Sequence, residues 1–240
     1  MIRSGAFSYA GRRHGFVPEN RTDAVLERDC GGHRAVVLCS GGDSCPCGKA
    51  AAELTSQAAT SFLTFRFARC LLEEPEVLRR ELVQVVTRVL GDAARRAGRV
   101  PSQFGCTLLA AAMDQRGRFC AFHLGDGTLL GKLETENQWT VFSQPQSGLT
   151  PGSTALTMNG SMFPNLRFYR TTQPGGHRLF LTGDGIAGLV PRLPQLLDHP
   201  DRLEGLIRRA EQGQLQDLPE LSSVLEDDCS AAWLSAFPWL

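Results

Sequence analysis

Within Gly48–Leu72 a long run carries neither glycine nor proline and is rich in Ala, Leu and Phe, which reads as a helix with much apolar surface to cover. A second helix follows at once. Pro75 suits a first turn, and Leu78, Leu82, Val85, Val86, Val89 and Leu90 recur at three- and four-residue spacing. Arg95, Arg96 and Gly98 supply a basic last turn and a C-cap. The period then changes: residues 106–113, 118–124, 128–133 and 139–142 read as strands separated by hairpin-length gaps of turn residues. Further strands are expected at 6–9, 34–39, 153–158, 167–172, 178–182 and 229–234, with helical material between 186 and 211. This order lacks the strict βαβ alternation of a parallel sheet and predicts an α+β domain in which helices cover antiparallel sheets.

The 240 residues are 42% hydrophobic and 21% charged, enough for one large domain with an ordinary core. Twenty-five basic side chains balance twenty-five acidic ones, so no broad basic face for nucleic acid is expected. No apolar run approaches the roughly 20 residues that span a bilayer, and residues 1–15 show no secretory leader, which points to a cytoplasmic protein without a membrane anchor. Its eight cysteines are then expected to be reduced thiols.

Four places set an acidic or metal-capable residue at the edge of a β segment. Thr22-Asp23-Ala24 precedes the second strand, and Leu38-Cys39-Ser40-Gly41-Gly42 ends it. Leu181-Thr182-Gly183-Asp184-Gly185 ends a later strand, and Glu226-Asp227-Asp228-Cys229-Ser230 opens the last one. Gly125-Asp126-Gly127 sits in a hairpin. Carboxylates gathered at strand ends suit Mg²⁺ or Mn²⁺, which take oxygen ligands. Two such ions roughly 3.5–4 Å apart can activate water for attack on a phosphate ester.

In this order the motifs resemble those of the metal-dependent PPM family, the protein phosphatase 2C type of Ser/Thr phosphatase. Asp23, Gly105-Cys106-Thr107-Leu108-Leu109, Gly125-Asp126-Gly127, Gly183-Asp184-Gly185 and Asp227-Asp228-Cys229-Ser230 follow the family's succession from about residue 5 to 235. The likeness is greatest to a bacterial branch, through Gly11-Arg12-Arg13-His14 and Thr22-Asp23-Ala24. The resemblance implies a single domain over residues 1–240 with two antiparallel β-sheets sandwiched between helix pairs. It implies hydrolysis of phosphoserine and phosphothreonine esters by metal-activated water at a two-ion Mn²⁺ or Mg²⁺ centre. Asp23, Asp184 and Asp227 are then metal ligands, Asp126 serves a third, weaker ion, and His14 or Arg13 faces the phosphate. The implied partners are phosphorylated proteins, including those of a Ser/Thr kinase system.

One departure stands out. Where the family's second motif carries an aspartate that bridges both ions, this sequence has Cys39 and Ser40, with Asp43 displaced into the following loop. A thiol is a poor ligand for hard cations. Three readings stay open: an active phosphatase with an altered site, an inactive pseudophosphatase that binds a partner, or a softer-metal or redox site using Cys39, Cys45 and Cys47, completed by Cys30 and His33. Gly41-Gly42-Asp43-Ser44 could cradle an anion ahead of a helix, but Gly48-Lys49-Ala50 lacks the ending of a nucleotide-binding P-loop. His123, in an apolar strand, is expected to be a core histidine. Arg95-Arg96-Ala97-Gly98-Arg99 reads as a solvated helix end or a site for an acidic partner.

Overall fold

A computed structural model describes residues 1–146, 154–158, 160–187, 196–211 and 227–236. Two five-stranded antiparallel sheets form its centre. The first runs β1 (Ile2–Tyr9), β10 (Cys229–Ala236), β9 (His177–Thr182), β6 (Thr128–Leu133) and β7 (Thr140–Ser143). The second runs β2 (Asp23–Asp29), β3 (His33–Ser40), β4 (Leu108–Asp114), β5 (Phe119–Leu124) and β8 (Arg167–Thr171). Helices α1 (Gly48–Leu72) and α2 (Pro75–Arg96) lie on the second sheet. The short α3 (Met162–Asn165) precedes β8, and α4 (Asp184–Ala187) and α5 (Pro200–Glu211) belong to the first sheet's outer face.

Strand alternation sorts the core into layers. Val36, Leu38, Leu109, Leu129 and Leu181 meet between the sheets. Ala35, Val37 and Cys39 of the same β3 turn the other way, against Ala52, Ala59 and Leu63 of α1. Phe180, Cys229 and Ala231 face Leu203 and Ile207 of α5. Small residues let α1 sit close to the sheet. Its first residue, Gly48, is so near Gly41 that a Cβ on Gly41 would lie 2.6 Å from the Gly48 carbonyl carbon. Gly41 is therefore used for close packing of α1 on the end of β3, whereas a Cβ on Gly42 would meet Leu156 Cδ1 at 2.8 Å.

Both long helices and most strands match expectation. Residues 154–158 do not form the expected strand: they make an isolated bridge and a turn, tied to the start of β4 by Thr157 N–H donating to the Cys106 carbonyl at 3.0 Å. The expected helical material at 186–211 is divided between α4 and α5, and residues 188–195 lie outside the described set. Part of the polar segment after β7, residues 147–150, also lies outside it. β2, rich in charge, was not expected. Among the described residues no helix is long and apolar enough to cross a membrane.

Leu82 of α2 is buried in the helix-side core, whereas Phe65 of α1 is 79% exposed. Leu82→Ala is expected to cost about 3 kcal/mol in urea unfolding, by loss of apolar contact plus a residual cavity. Phe65→Ala should stay within about 0.5 kcal/mol of the parent.

Candidate functional site

Antiparallel pairing brings one end of both sheets to a common edge. In the first sheet Tyr9 pairs with Cys229, Ala231 with Thr182, and Thr182 with Thr128. The end of β1, the starts of β10 and β6 and the end of β9 therefore lie side by side. In the second sheet Asp23, the first residue of β2, stands opposite Ser40, the last of β3. Asp23, Asp126, Asp184 and Asp227 all fall at this edge.

Asp228 organises the edge. It is 1% exposed, and its Oδ1 accepts the Gly11 N–H at 3.1 Å and His14 Nδ1–H at 2.7 Å. Its Oδ2 accepts the Thr22 N–H at 2.7 Å, the Thr22 hydroxyl at 3.2 Å and the Asp23 N–H at 3.3 Å. The backbones approach too closely here for side chains. A Cβ on Gly11 would meet the Asp227 carbonyl oxygen at 2.2 Å, and one on Gly185 the Asp228 carbonyl oxygen at the same distance. Spacing alone did not single out Asp228 from Asp227; the doubled acid at a strand start was the only signal, and register decides which one turns inward.

Asp227 is left facing the edge. Its Oδ1 accepts the Asp228 N–H at 2.8 Å, and its Oδ2 accepts Arg13 Nη1–H at 2.8 Å. The Arg13 guanidinium is 62% exposed and also stands 3.7 Å from Asp43, which lies past the end of β3. Asp126 accepts the Thr154 hydroxyl at 2.6 Å. The surrounding protein, and then the Asp126 and Asp227 carboxylates, push Asp184 up to about 6. Asp23 is 5% exposed, and neither of its carboxylate oxygens closes a hydrogen bond. Burial pushes it up to about 8, against the lowering effect of the nearby Ser230 and Ser40, with Asp228 and Asp184 adding repulsion.

These residues fit a divalent cation. A buried carboxylate with both oxygens unpartnered, repelled by Asp228 and Asp184, lacks a positive charge that a hard ion supplies. Among the described residues, the one compact group of His, Cys and acidic side chains with ligand atoms within 4.8 Å is His14, Asp227 and Asp228. Five donors already occupy Asp228, so that trio is a hydrogen-bonded clasp with Asp227 as its open member.

The cysteines do not come together at this edge. The Cys39 thiol points into the α1 side of the core beside Cys106, where burial holds it far above its usual range. Cys30 bonds the Thr64 hydroxyl at 3.4 Å, and His33 stacks on Phe67 at the far end of the β2–β3 hairpin. Cys45 and Cys47 lie in the loop at the opposite end. His123 is a satisfied core histidine: Nδ1 meets the Ser143 hydroxyl at 2.5 Å, Nε2–H donates to the Gly125 carbonyl at 3.1 Å, and burial lowers it to about 4. It thereby steadies the hairpin that carries Asp126.

The same arrangement of sheets and helices recurs in solved structures. A bacterial serine phosphatase superposes with a TM-score of 0.67 at 15% identity over 100% of both chains. The Mycobacterium tuberculosis serine/threonine phosphatase PstP/Ppp gives 0.62 at 17% identity over 99% of each chain. RsbX, solved in complex with magnesium, gives 0.56 at 12% identity over 98% of this chain and 94% of that one. No curated protein matches the chain by sequence. The family model described as protein phosphatase 2C matches residues 10–232, a span that holds all four edge carboxylates and the Asp228 clasp. The chain belongs to the protein phosphatase 2C family.

Proposed function

We propose that the chain is a metal-dependent phosphatase for phosphoserine and phosphothreonine in proteins, built as one domain over residues 1–240. Asp23, Asp126, Asp184 and Asp227 are its metal-binding carboxylates, and Mn²⁺ or Mg²⁺ is the ion. The observation that carries this reading is the buried Asp23 carboxylate, neither oxygen of which closes a hydrogen bond, beside Asp184, which Asp126 and Asp227 repel. When bound, a divalent ion neutralises phosphate charge and makes an attacking water more acidic.

The chain's own residues position the rest. Arg13, exposed and already bound to a carboxylate, presents the planar fork that suits phosphate oxygens. His14 is steadied through Nδ1–H by Asp228; when Nε2 also carries a proton, it can pass that proton to the departing serine or threonine oxygen and leave a neutral ring. Asp184 and Asp43 are exposed, so a phosphate carried on a protein can reach the edge. The partner set is a cytoplasmic Ser/Thr kinase system whose products this chain dephosphorylates. The second reading, a pseudophosphatase that binds a phosphorylated partner, is favoured by one observation: a serine, not a carboxylate, stands opposite Asp23.

Hydrolysis of p-nitrophenyl phosphate and of a phosphothreonine peptide should appear with Mn²⁺ and vanish with chelator. Asp184→Asn and Asp227→Asn should each lower kcat/KM at least about 100-fold, equivalent to ~2.7 kcal/mol of transition-state stabilisation. Wild-type turnover no higher than that of Asp184→Asn overturns the enzyme reading and leaves the binding one.

The metal-free protein should also report Asp23 in its pH-dependent stability. Its folded pKa is about 8, above the ~3.9 of an unfolded aspartate, so the folded state holds a proton that the unfolded state has lost. Stability is therefore greatest below about pH 4 for this group and falls as pH rises toward 8, by at most ~1.4 kcal/mol per pH unit. Asp184, at about 6, adds to the fall only up to that pH. Asp23→Asn should flatten the decline in thermal unfolding measured with chelator present.

A further inference from the structure

Resting on that reading of the edge as a metal site, we infer that this chain holds one divalent cation tightly, not two, and that Ser40 is the residue that limits it. Side chains on β3 alternate between two environments. Leu38 faces the apolar layer between the sheets, Cys39 faces α1, and Ser40 returns to the inter-sheet face at its open end. Because Asp23 and Ser40 are cross-strand partners, they share that face. The position from which β3 can offer a ligand beside Asp23 is thus residue 40, and its hydroxyl carries no charge.

The two carboxylates near Asp23 do not stand in for a charged residue 40: Asp228 is filled by its five donors, and Asp184 follows the end of β9. Ser230 is engaged with the Ser8 hydroxyl at 2.6 Å. Gly183 backs onto the carboxylate, with a Cβ there lying 3.5 Å from Asp23 Oδ2. Asp43, the next acid along, is 74% exposed beyond the strand and stands by Arg13. Asp184 lies close enough to repel Asp23 on one side and Asp126 and Asp227 on the other.

Two dications roughly 3.5–4 Å apart repel strongly and persist only where anionic oxygens contact both. On β3 beside Asp23 only the Ser40 hydroxyl is on offer, and it does not supply that. Asp184 and Asp227, with Asp23 near Asp184, do suit a single ion: each Asp227 oxygen spends only one lone pair on Arg13 or the Asp228 N–H. Ser40→Asp places a second carboxylate directly beside the first and completes a second position. Cys39→Asp places it in the α1 core, where it destabilises the fold and gains no ion.

The test is Mn²⁺ binding to the full chain by equilibrium dialysis, with low-temperature electron paramagnetic resonance on the same samples. The expected result is one equivalent with an isolated six-line signal for wild type. For Ser40→Asp it is a second equivalent bound at least tenfold tighter than in wild type, with an exchange-coupled signal. Cys39→Asp should show a lowered melting temperature and at most one equivalent. Two tight equivalents in wild type overturn the inference while leaving the metal-dependent reading intact. A single equivalent in a folded Ser40→Asp overturns the assignment to Ser40. No tight Mn²⁺ in folded wild type overturns both, and the wild-type stoichiometry decides even if Ser40→Asp fails to fold.

Discussion

The Asp228 carboxylate lies at the start of β10 in one sheet, yet most of what it holds is the connection to the other. The chain leaves the first sheet at Tyr9 and enters the second at Asp23, so residues 10–22 cross between the layers. Asp228 receives hydrogen bonds at both ends of that crossing, from Gly11 and His14 and from Thr22 and Asp23. A buried carboxylate is costly unless donors surround it, so these bonds must form together. Once they do, Asp23 and Asp227 have no freedom to drift apart, and the position of every other edge residue is measured from them.

That clasp works because four strand ends are in register at one edge. Thr182 is paired on one side with Ala231 and on the other with Thr128, which sets Asp184 beside Asp227 and within reach of Asp126. The glycines flanking the acids serve the same end. Gly11 and Gly185 let backbone lie against the Asp227–Asp228 backbone. The acid-rich edge is thus a consequence of sheet pairing and close backbone contact, and its mutual repulsion is tolerated because the apolar layers behind it are well packed.

Much of this was legible in the sequence. The long helices announced themselves by uninterrupted helix-forming residues, and the hairpins by their turn residues. The four edge aspartates were found by position relative to strand ends. β2 was not, because Asp23, Glu27, Arg28 and Asp29 break the apolar alternation that marks a strand, and pairing with β3 supplies what propensity does not. Residues 154–158 carry strand-like composition but bond to the start of β4 as a turn. The choice between Cys39 and Ser40, or between Asp227 and Asp228, was beyond spacing. Neighbouring residues on a strand face opposite ways, and a shift of one residue exchanges core for edge.

The clasp also explains how this fold can part with a ligand. Five donors satisfy Asp228 without an ion, and the Arg13–Asp227 pair neutralises one edge carboxylate from within the chain. The architecture is therefore held by hydrogen bonds and packing, and the proposed metal would answer only the carboxylate charge that remains at the edge. On the proposed reading, a serine at position 40 keeps negative charge out of a crowded edge, which would relieve the metal-free protein even as it weakens the grip on a second cation. Stability and ion capacity pull in opposite directions at this one residue.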